Sequence, residues 1–148
     1  EERGAWCVEA DGVRFLRTWF SRDRRRMICL YEAPDAESVR LAEEKAGVPF
    51  DSAWAAQVIS HEEPGAGGEA IVVERRLPEP LDEAGIRDAV AGGAWCLQQY
   101  GCRILATFLA GDGRRCLCVF QAPDAESVRQ AQKRMGMPFE KGKAVNER

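Results

Sequence analysis

The octapeptide Ala-Pro-Asp-Ala-Glu-Ser-Val-Arg occupies residues 33–40 and recurs unchanged at residues 122–129. Around it, residues 5–50 align without gaps on residues 94–139, with 23 identities in 46 positions. Eight consecutive identities at a constant shift of 89 residues indicate an internal duplication. We therefore expect two copies of one structural unit.

The octapeptide itself predicts the start of a helix. In the second copy Asp124 can act as the N-cap after Pro123, and Gly136 can end the helix before Pro138. The same residue types predict a helix over residues 35–46 in the first copy.

Working outward, the second copy shows all the elements of one unit. Asp82 is a predicted N-cap for its first helix, and Gly111-Asp112-Gly113 is typical of a hairpin turn. The predicted strands are residues 71–77, 102–110, 114–122 and 143–146. The order β-α-β-β-α-β predicts an α+β, ferredoxin-like repeat.

The first copy repeats this order from the end of its first helix, near Ala5-Trp6-Cys7. Its predicted strands are residues 13–20, 26–33 and 53–59. We expect its own first strand to precede residue 1, so that this copy is truncated at its start. The predicted organisation is a first repeat at 1–62, a linker at 63–70 and a second repeat at 71–148.

Strict alternation makes both faces of each hairpin apolar. One face is predicted to carry Cys102, Ile104, Ala106, Phe108, Cys116, Cys118, Phe120 and Ala122 in the second copy, and Phe15, Trp19, Met27, Cys29 and Tyr31 in the first. The other is predicted to carry Leu105, Thr107, Leu109, Leu117 and Val119, and Leu16, Phe20, Ile28 and Leu30. Because two helices cover only one face, we expect the copies to pack sheet to sheet as an intramolecular pseudo-dimer. Further self-association stays open.

Composition narrows the classes of partner. The formal net charge is −3, and the basic run at residues 22–26 is typical of a solvated hairpin turn, so we expect no nucleic-acid partner. No apolar run approaches a membrane span, and residues 1–4 do not resemble a secretory signal. Scattered cysteines without a C-x-x-C motif favour a reduced, cytoplasmic setting.

The stretches at 29–40 and 47–49, together with Val73-Glu74-Arg75 and Leu77-Pro78, resemble a family of small bacterial nickel-binding, ferredoxin-like proteins. The resemblance occurs once per copy and covers nearly the whole chain. It implies a dimeric α+β fold with nickel or another divalent metal bound between sheets. Similar members often carry a histidine just after an alanine of the second helix, where this chain has Glu43 and Gln132.

Four residues are candidate metal ligands. Cys29 and Cys118 are equivalent positions on the third strand, and Cys116 shares a face with Cys118. Thiolates bind soft and borderline metals, but unreactive cysteine is also a common core residue, and both interpretations remain open. His61, beside Glu62 and Glu63, is either a cation ligand or part of a solvated linker.

Catalytic signals are few. With one histidine in the chain, no Ser/His/Asp set emerges, and no P-loop or dinucleotide-binding glycine pattern follows a strand. We therefore expect a non-enzymatic protein that binds a small ligand or a divalent metal such as nickel between its sheets. The alternatives are a small enzyme acting on an apolar molecule in the same cavity and a protein-interaction module.

Overall fold

The computed structural model describes residues 12–135 and 141–147, with side chains for residues 12–135. The chain divides into two units. The first is Glu1–Ala55 with Glu147–Arg148, and the second is Ala56–Asn146. Both combine helix with antiparallel strands, which confirms the α+β class and fits the predicted two-repeat layout. The predicted helix ends at residues 5–7 and at Gly136 lie outside the described residues.

The helices and strands follow the predicted order closely. The first unit contains β1 (Arg14–Ser21), β2 (Met27–Glu32) and α1 (Ala36–Ala46). The second contains β3 (Ala56–His61), β4 (Glu69–Arg76), α2 (Glu83–Gln99), β5 (Arg103–Ala110), β6 (Arg115–Ala122), α3 (Ala125–Met135) and β7 (Lys141–Glu147). No helix in the described part of the chain has the length and hydropathy needed to cross a membrane.

Local hydrogen bonds explain the ends of α1. The Asp35 carboxylate accepts a hydrogen bond of 2.7 Å from the backbone N–H of Ser38, which satisfies one of the donors left open at a helix start. Gly47 ends the helix at φ +70°, a conformation that suits glycine, and its N–H reaches back to the Glu43 and Glu44 carbonyls. The predicted helix over residues 35–46 is therefore confirmed.

The β1–β2 hairpin contains a bulge that sequence alternation did not predict. Phe15 pairs with Tyr31, but the register shifts at Leu16, so that Thr18 pairs with Cys29 and Trp19 with Ile28. Because directly paired residues share a face, Thr18 joins Cys29 and Trp19 moves to the opposite face. The predicted placement of Trp19 beside Cys29 was wrong for this reason.

The second unit is built on an antiparallel sheet with the strand order β7-β4-β6-β5-β3. β4 lies between β6 and β7, and β6 pairs along its whole length with β4. The predicted 53–59 strand is found as β3, three residues later at its start. It pairs with β5, so it belongs to the second unit.

The second unit repeats the bulge at Leu105, the position equivalent to Leu16. Beyond it Thr107 pairs with Cys118 and Leu109 with Cys116, while Phe108 pairs with Leu117. Thr107 and Leu109 therefore share the face of the two cysteines. The prediction that Phe108 lies on that face was wrong, because one extra residue reverses the alternation.

The core of the second unit lies between this sheet and the helices. It contains Ile71, Val73, Leu109, Cys116, Cys118 and Phe120 from the strands and Ile86, Leu97, Val128 and Ala131 from α2 and α3. The helices approach closely at Gly93, where a Cβ atom would stand 1.7 Å from the Met135 Cε. A smaller cluster, formed by Val13, Ala42, Val39, Ala33 and Tyr31, packs α1 on the β1–β2 hairpin.

The predicted linker at 63–70 lies inside the second unit, and a β6 side chain holds it. The Gln121 amide donates to the Gly65 and Gly67 carbonyls at 2.7 and 2.6 Å, and its oxygen accepts from the Gly65 N–H at 3.0 Å. These contacts order the segment before β4 begins.

Candidate functional site

Two predicted ligands lie side by side in the second unit. Cys116 and Cys118 are neighbours on one face of β6, and their Sγ atoms are 3.8 Å apart. The residues are 2% and 5% exposed, so water has little access to either thiol. They project into the core beneath the helices, so they do not occupy the predicted location between two sheets.

Charged and polar groups surround this pair of thiols. Arg75 pairs with Cys116 across β4 and β6, is itself buried, and places its guanidinium beside Cys118. The hydrogen bond between the two thiols is the main cause that lowers the pKa of Cys118, and Arg75 and the Thr107 hydroxyl act in the same direction. That hydrogen bond and burial raise the pKa of Cys116.

The first unit holds a different polar cluster at the equivalent place. The Thr18 hydroxyl donates to the Cys29 Sγ at 3.6 Å, and the Tyr31 hydroxyl donates to the Glu43 carboxylate. Tyr31 also interacts with Cys29, so its hydroxyl lies next to both a thiol and a carboxylate. Burial is the largest cause that raises the pKa of Tyr31, followed by the hydrogen bond to Glu43.

Glu43 is 7% exposed, although glutamate is rarely buried without a partner. It lies on the inner face of α1 beside Ala42, so the cluster is enclosed between the hairpin and that helix. Cys29 therefore also lies on the helix side of its own sheet. The prediction that the third-strand cysteines face a space between two sheets was therefore wrong for Cys29, Cys116 and Cys118.

The two clusters are related by the repeat, and their differences are chemical. Tyr31 and Glu43 correspond to Phe120 and Gln132, while Thr18 and Cys29 have unchanged counterparts. Gln132 is buried, its amide reaches the Met135 Sδ at 3.8 Å, and its carbonyl oxygen has no hydrogen-bond partner among the described residues. The first repeat thus holds an acidic cluster, and the second a basic cluster with two thiols.

The fourth predicted ligand lies apart from these clusters. His61 is an exposed residue at the end of β3, paired with Ala106. Beside it, Glu62 forms an ion pair with Arg103 at 3.5 Å. In the described part of the chain, no three residues among His, Cys, Asp and Glu converge as a metal site.

The other described cysteines are also outside disulfides. Cys102 is buried at the start of β5, and burial, with the nearby Asp124 carboxylate, raises its pKa to about 11. Cys96 is half-buried on α2, next to Trp95, whose ring packs against the Arg134 guanidinium at 5.8 Å. Neither thiol joins a group of polar side chains comparable to the two clusters.

Five residues of these clusters were not predicted as site residues: Thr18, Tyr31, Glu43, Arg75 and Thr107. The sequence places Tyr31 and Arg75 only on strands, and Glu43 only at the helix position where the resemblance implies a histidine. The helix position of Glu43 was the usable signal, because a glutamate on the buried face of a helix needs a polar partner.

The fold and the two clusters define a duplicated α+β protein with a thiol-containing polar site between sheet and helix in each repeat. The family described as "Nickel responsive protein SCO4226-like" matches residues 3–55 and 72–141, one match per repeat. The chain belongs to this family, and the predicted membership as a tandem duplication is confirmed. Searches of curated proteins and of solved structures found no match.

Proposed function

We propose that this protein is a non-enzymatic metal-binding protein and that its first repeat takes nickel or a similar divalent cation. Cys29 and Glu43 would supply the charged ligands, and Tyr31 a third donor. The observation that carries the proposal is the Tyr31 hydroxyl, which contacts both the thiol and the carboxylate. The family's description as nickel responsive supports the choice of metal.

The chemistry of this donor set fits a borderline cation. Nickel accepts sulfur and oxygen ligands, whereas an all-oxygen set would favour magnesium or calcium. A thiolate and a carboxylate carry two negative charges, which match a divalent ion in a largely enclosed site. Since Cys29 must lose its proton to bind, binding releases protons and strengthens as the pH rises.

The second repeat is less suited to a divalent cation. Gln132 replaces the carboxylate, Phe120 replaces the phenol, and the Arg75 guanidinium stands beside the thiols. A positive charge beside the thiols repels a divalent cation bound to them. We therefore propose that nickel binds in the first repeat only.

Nickel titration of the metal-free protein by calorimetry tests this assignment. Glu43→Gln should weaken nickel binding by about 10-fold or more, because it removes a ligand charge. The control is Glu44→Gln, which removes the same charge from the exposed neighbouring position of α1 and should change nothing. Equal affinities in both variants would exclude Glu43 as a ligand.

Cysteine variants provide a second test. Cys29→Ser should lower the nickel occupancy, whereas Cys118→Ser, at the equivalent position of the second repeat, should leave it unchanged. A loss of nickel in Cys118→Ser with none in Cys29→Ser would move the site to the other repeat.

We also propose that each repeat is ferredoxin-like, with repeats at 1–62 and 71–148 and a linker at 63–70. In this proposal the two repeats pair sheet to sheet, and the protein is cytoplasmic. Support comes from the order β4-α2-β5-β6-α3-β7 with β7-β4-β6-β5 across the sheet. The sheet face opposite the helices is also apolar, with Val72, Leu117 and Val119 buried. Methyl–methyl NOEs between the sheets of the two repeats are expected, and their absence would contradict the pairing.

A further inference from the structure

The pair of thiols in the second repeat has the spacing of two ligands on one metal ion. Two sulfurs about 2.3 Å from one ion stand about 4.0 Å apart at a trigonal angle and about 4.6 Å apart when they lie opposite each other, the arrangement that two lone thiolates favour. The Sγ atoms of Cys116 and Cys118 are 3.8 Å apart before any metal is added. The two sulfurs would therefore separate by less than about 1 Å to hold one ion between them.

The surroundings select for a soft ion. Val73, Leu109 and Phe120 lie in the same core cluster as the two thiols and offer no oxygen or nitrogen ligand. The oxygen beside Cys118 is the neutral Thr107 hydroxyl, which carries no charge for a hard cation. Hard cations need such ligands or several waters, whereas thiolates alone satisfy monovalent copper or silver. The near-complete burial of both thiols also keeps solvent away from the metal.

Arg75 discriminates between ions by their charge. Its guanidinium stands beside Cys118, and its repulsion of a bound ion is proportional to the charge of that ion. Two thiolates with a monovalent ion form a complex of charge −1, which Arg75 attracts. The same thiolates with a divalent ion form a neutral complex, which gains no such attraction.

We propose that Cys116 and Cys118 form a second metal site, selective for a soft monovalent cation such as Cu⁺, with Arg75 as the charge-matching residue. Both thiols lose their protons to solvent as the ion binds, and no electron is transferred. This site is independent of the nickel site proposed for the first repeat, because the two share no residue.

The experiment uses the full-length chain under anaerobic conditions, with Cu⁺ buffered by a chromogenic chelator. We expect wild-type protein to withdraw Cu⁺ from the chelator, and Cys116→Ser and Cys118→Ser to lower its affinity by about 100-fold. The matched control, Cys96→Ser, removes a half-buried thiol outside the pair and should bind like wild type. Unchanged Cu⁺ affinity in both pair variants would overturn the proposal.

X-ray absorption on the wild-type complex provides a measurement that does not depend on the folding of variants. The copper edge should show sulfur ligands without nitrogen. A spectrum dominated by nitrogen or oxygen would overturn the proposal. Nickel binding should survive in Cys116→Ser, so failure of the nickel assignment and failure of the copper assignment are separable.

Arg75→Met tests selectivity, with the exposed neighbour Arg76→Met as its control. The ratio of Cu⁺ to Cd²⁺ affinity should fall by about 10-fold in the first variant and stay constant in the second. A constant ratio in a folded Arg75→Met protein would overturn the role of the guanidinium. If circular dichroism shows that Arg75→Met does not fold, Arg75→Lys replaces it, because lysine keeps the positive charge. Arg75→Lys should retain the wild-type ratio of Cu⁺ to Cd²⁺ affinity, and a lower ratio would count against the role of the positive charge at residue 75.

Discussion

Replacing Tyr31 by phenylalanine removes the hydroxyl that donates a hydrogen bond to Glu43, and leaves a buried carboxylate without that donor. Hydrogen bonds to charged groups contribute about 1.5–3 kcal/mol, so Tyr31→Phe should lower the free energy of unfolding by that amount. Glu43→Gln should cost less, about 1 kcal/mol, because a neutral amide oxygen can still accept from the tyrosine.

The double variant is the informative one, since phenylalanine and glutamine stand at the equivalent positions 120 and 132. Once glutamine has replaced the carboxylate, loss of the phenol no longer strands a charge. The double variant should therefore cost less than the sum of the singles, with a coupling energy of about 1–2 kcal/mol.

Urea unfolding of the metal-free protein, followed by circular dichroism, measures this cycle. A control cycle pairs Tyr31→Phe with Glu44→Gln, whose side chain is exposed, and should be additive. Additivity within about 0.5 kcal/mol in the Tyr31–Glu43 cycle would refute the energetic link between phenol and carboxylate.

Two further predictions concern the second unit. Gly92→Ala, where nothing lies within 4 Å of the new Cβ, should raise the free energy of unfolding by about 1 kcal/mol. Gly93→Ala should gain less, because the new Cβ must displace the end of the Met135 side chain, and equal stabilisation by both in urea unfolding would show that this displacement costs nothing. Hydrogen bonds from the side chain and backbone of Ser127 lower the pKa of Asp124, so its contribution to stability is complete above the usual aspartate range and is lost as the pH falls through the lowered value. Asp124→Asn should weaken the fall of the melting temperature at acid pH. An unchanged pH profile in this variant would contradict the contribution of the Asp124 carboxylate to stability.

Several features could be read from the chain because their causes are local. The caps at Asp35, Asp82 and Asp124 depend on a carboxylate and an N–H three residues away, and the three helices among the described residues begin where these residues predict. The hairpin turns are equally local, and the duplication is visible because identical residues recur at a constant shift. Cys116 and Cys118 were expected on one face, and their Sγ atoms are adjacent.

The composition of the two sites could not be read in the same way. The Tyr31–Glu43 hydrogen bond joins a strand to a helix twelve residues on, and Arg75 reaches the thiols from a strand about forty residues away. Neither pairing leaves a sequence pattern. Only the packing of α1 on its hairpin and of β4 beside β6 brings these groups together.

The order of elements and the repeat were determined by the sequence alone, because capping, turn chemistry and periodicity act over a few residues. The tertiary structure decided which face each side chain joins. In both hairpins a bulge at an equivalent leucine, 16 or 105, reverses the alternation. With apolar residues on both faces, no loss of hydrophobic pattern marks the extra residue, so only the observed register assigns Thr18 and Thr107 to the faces of the cysteines.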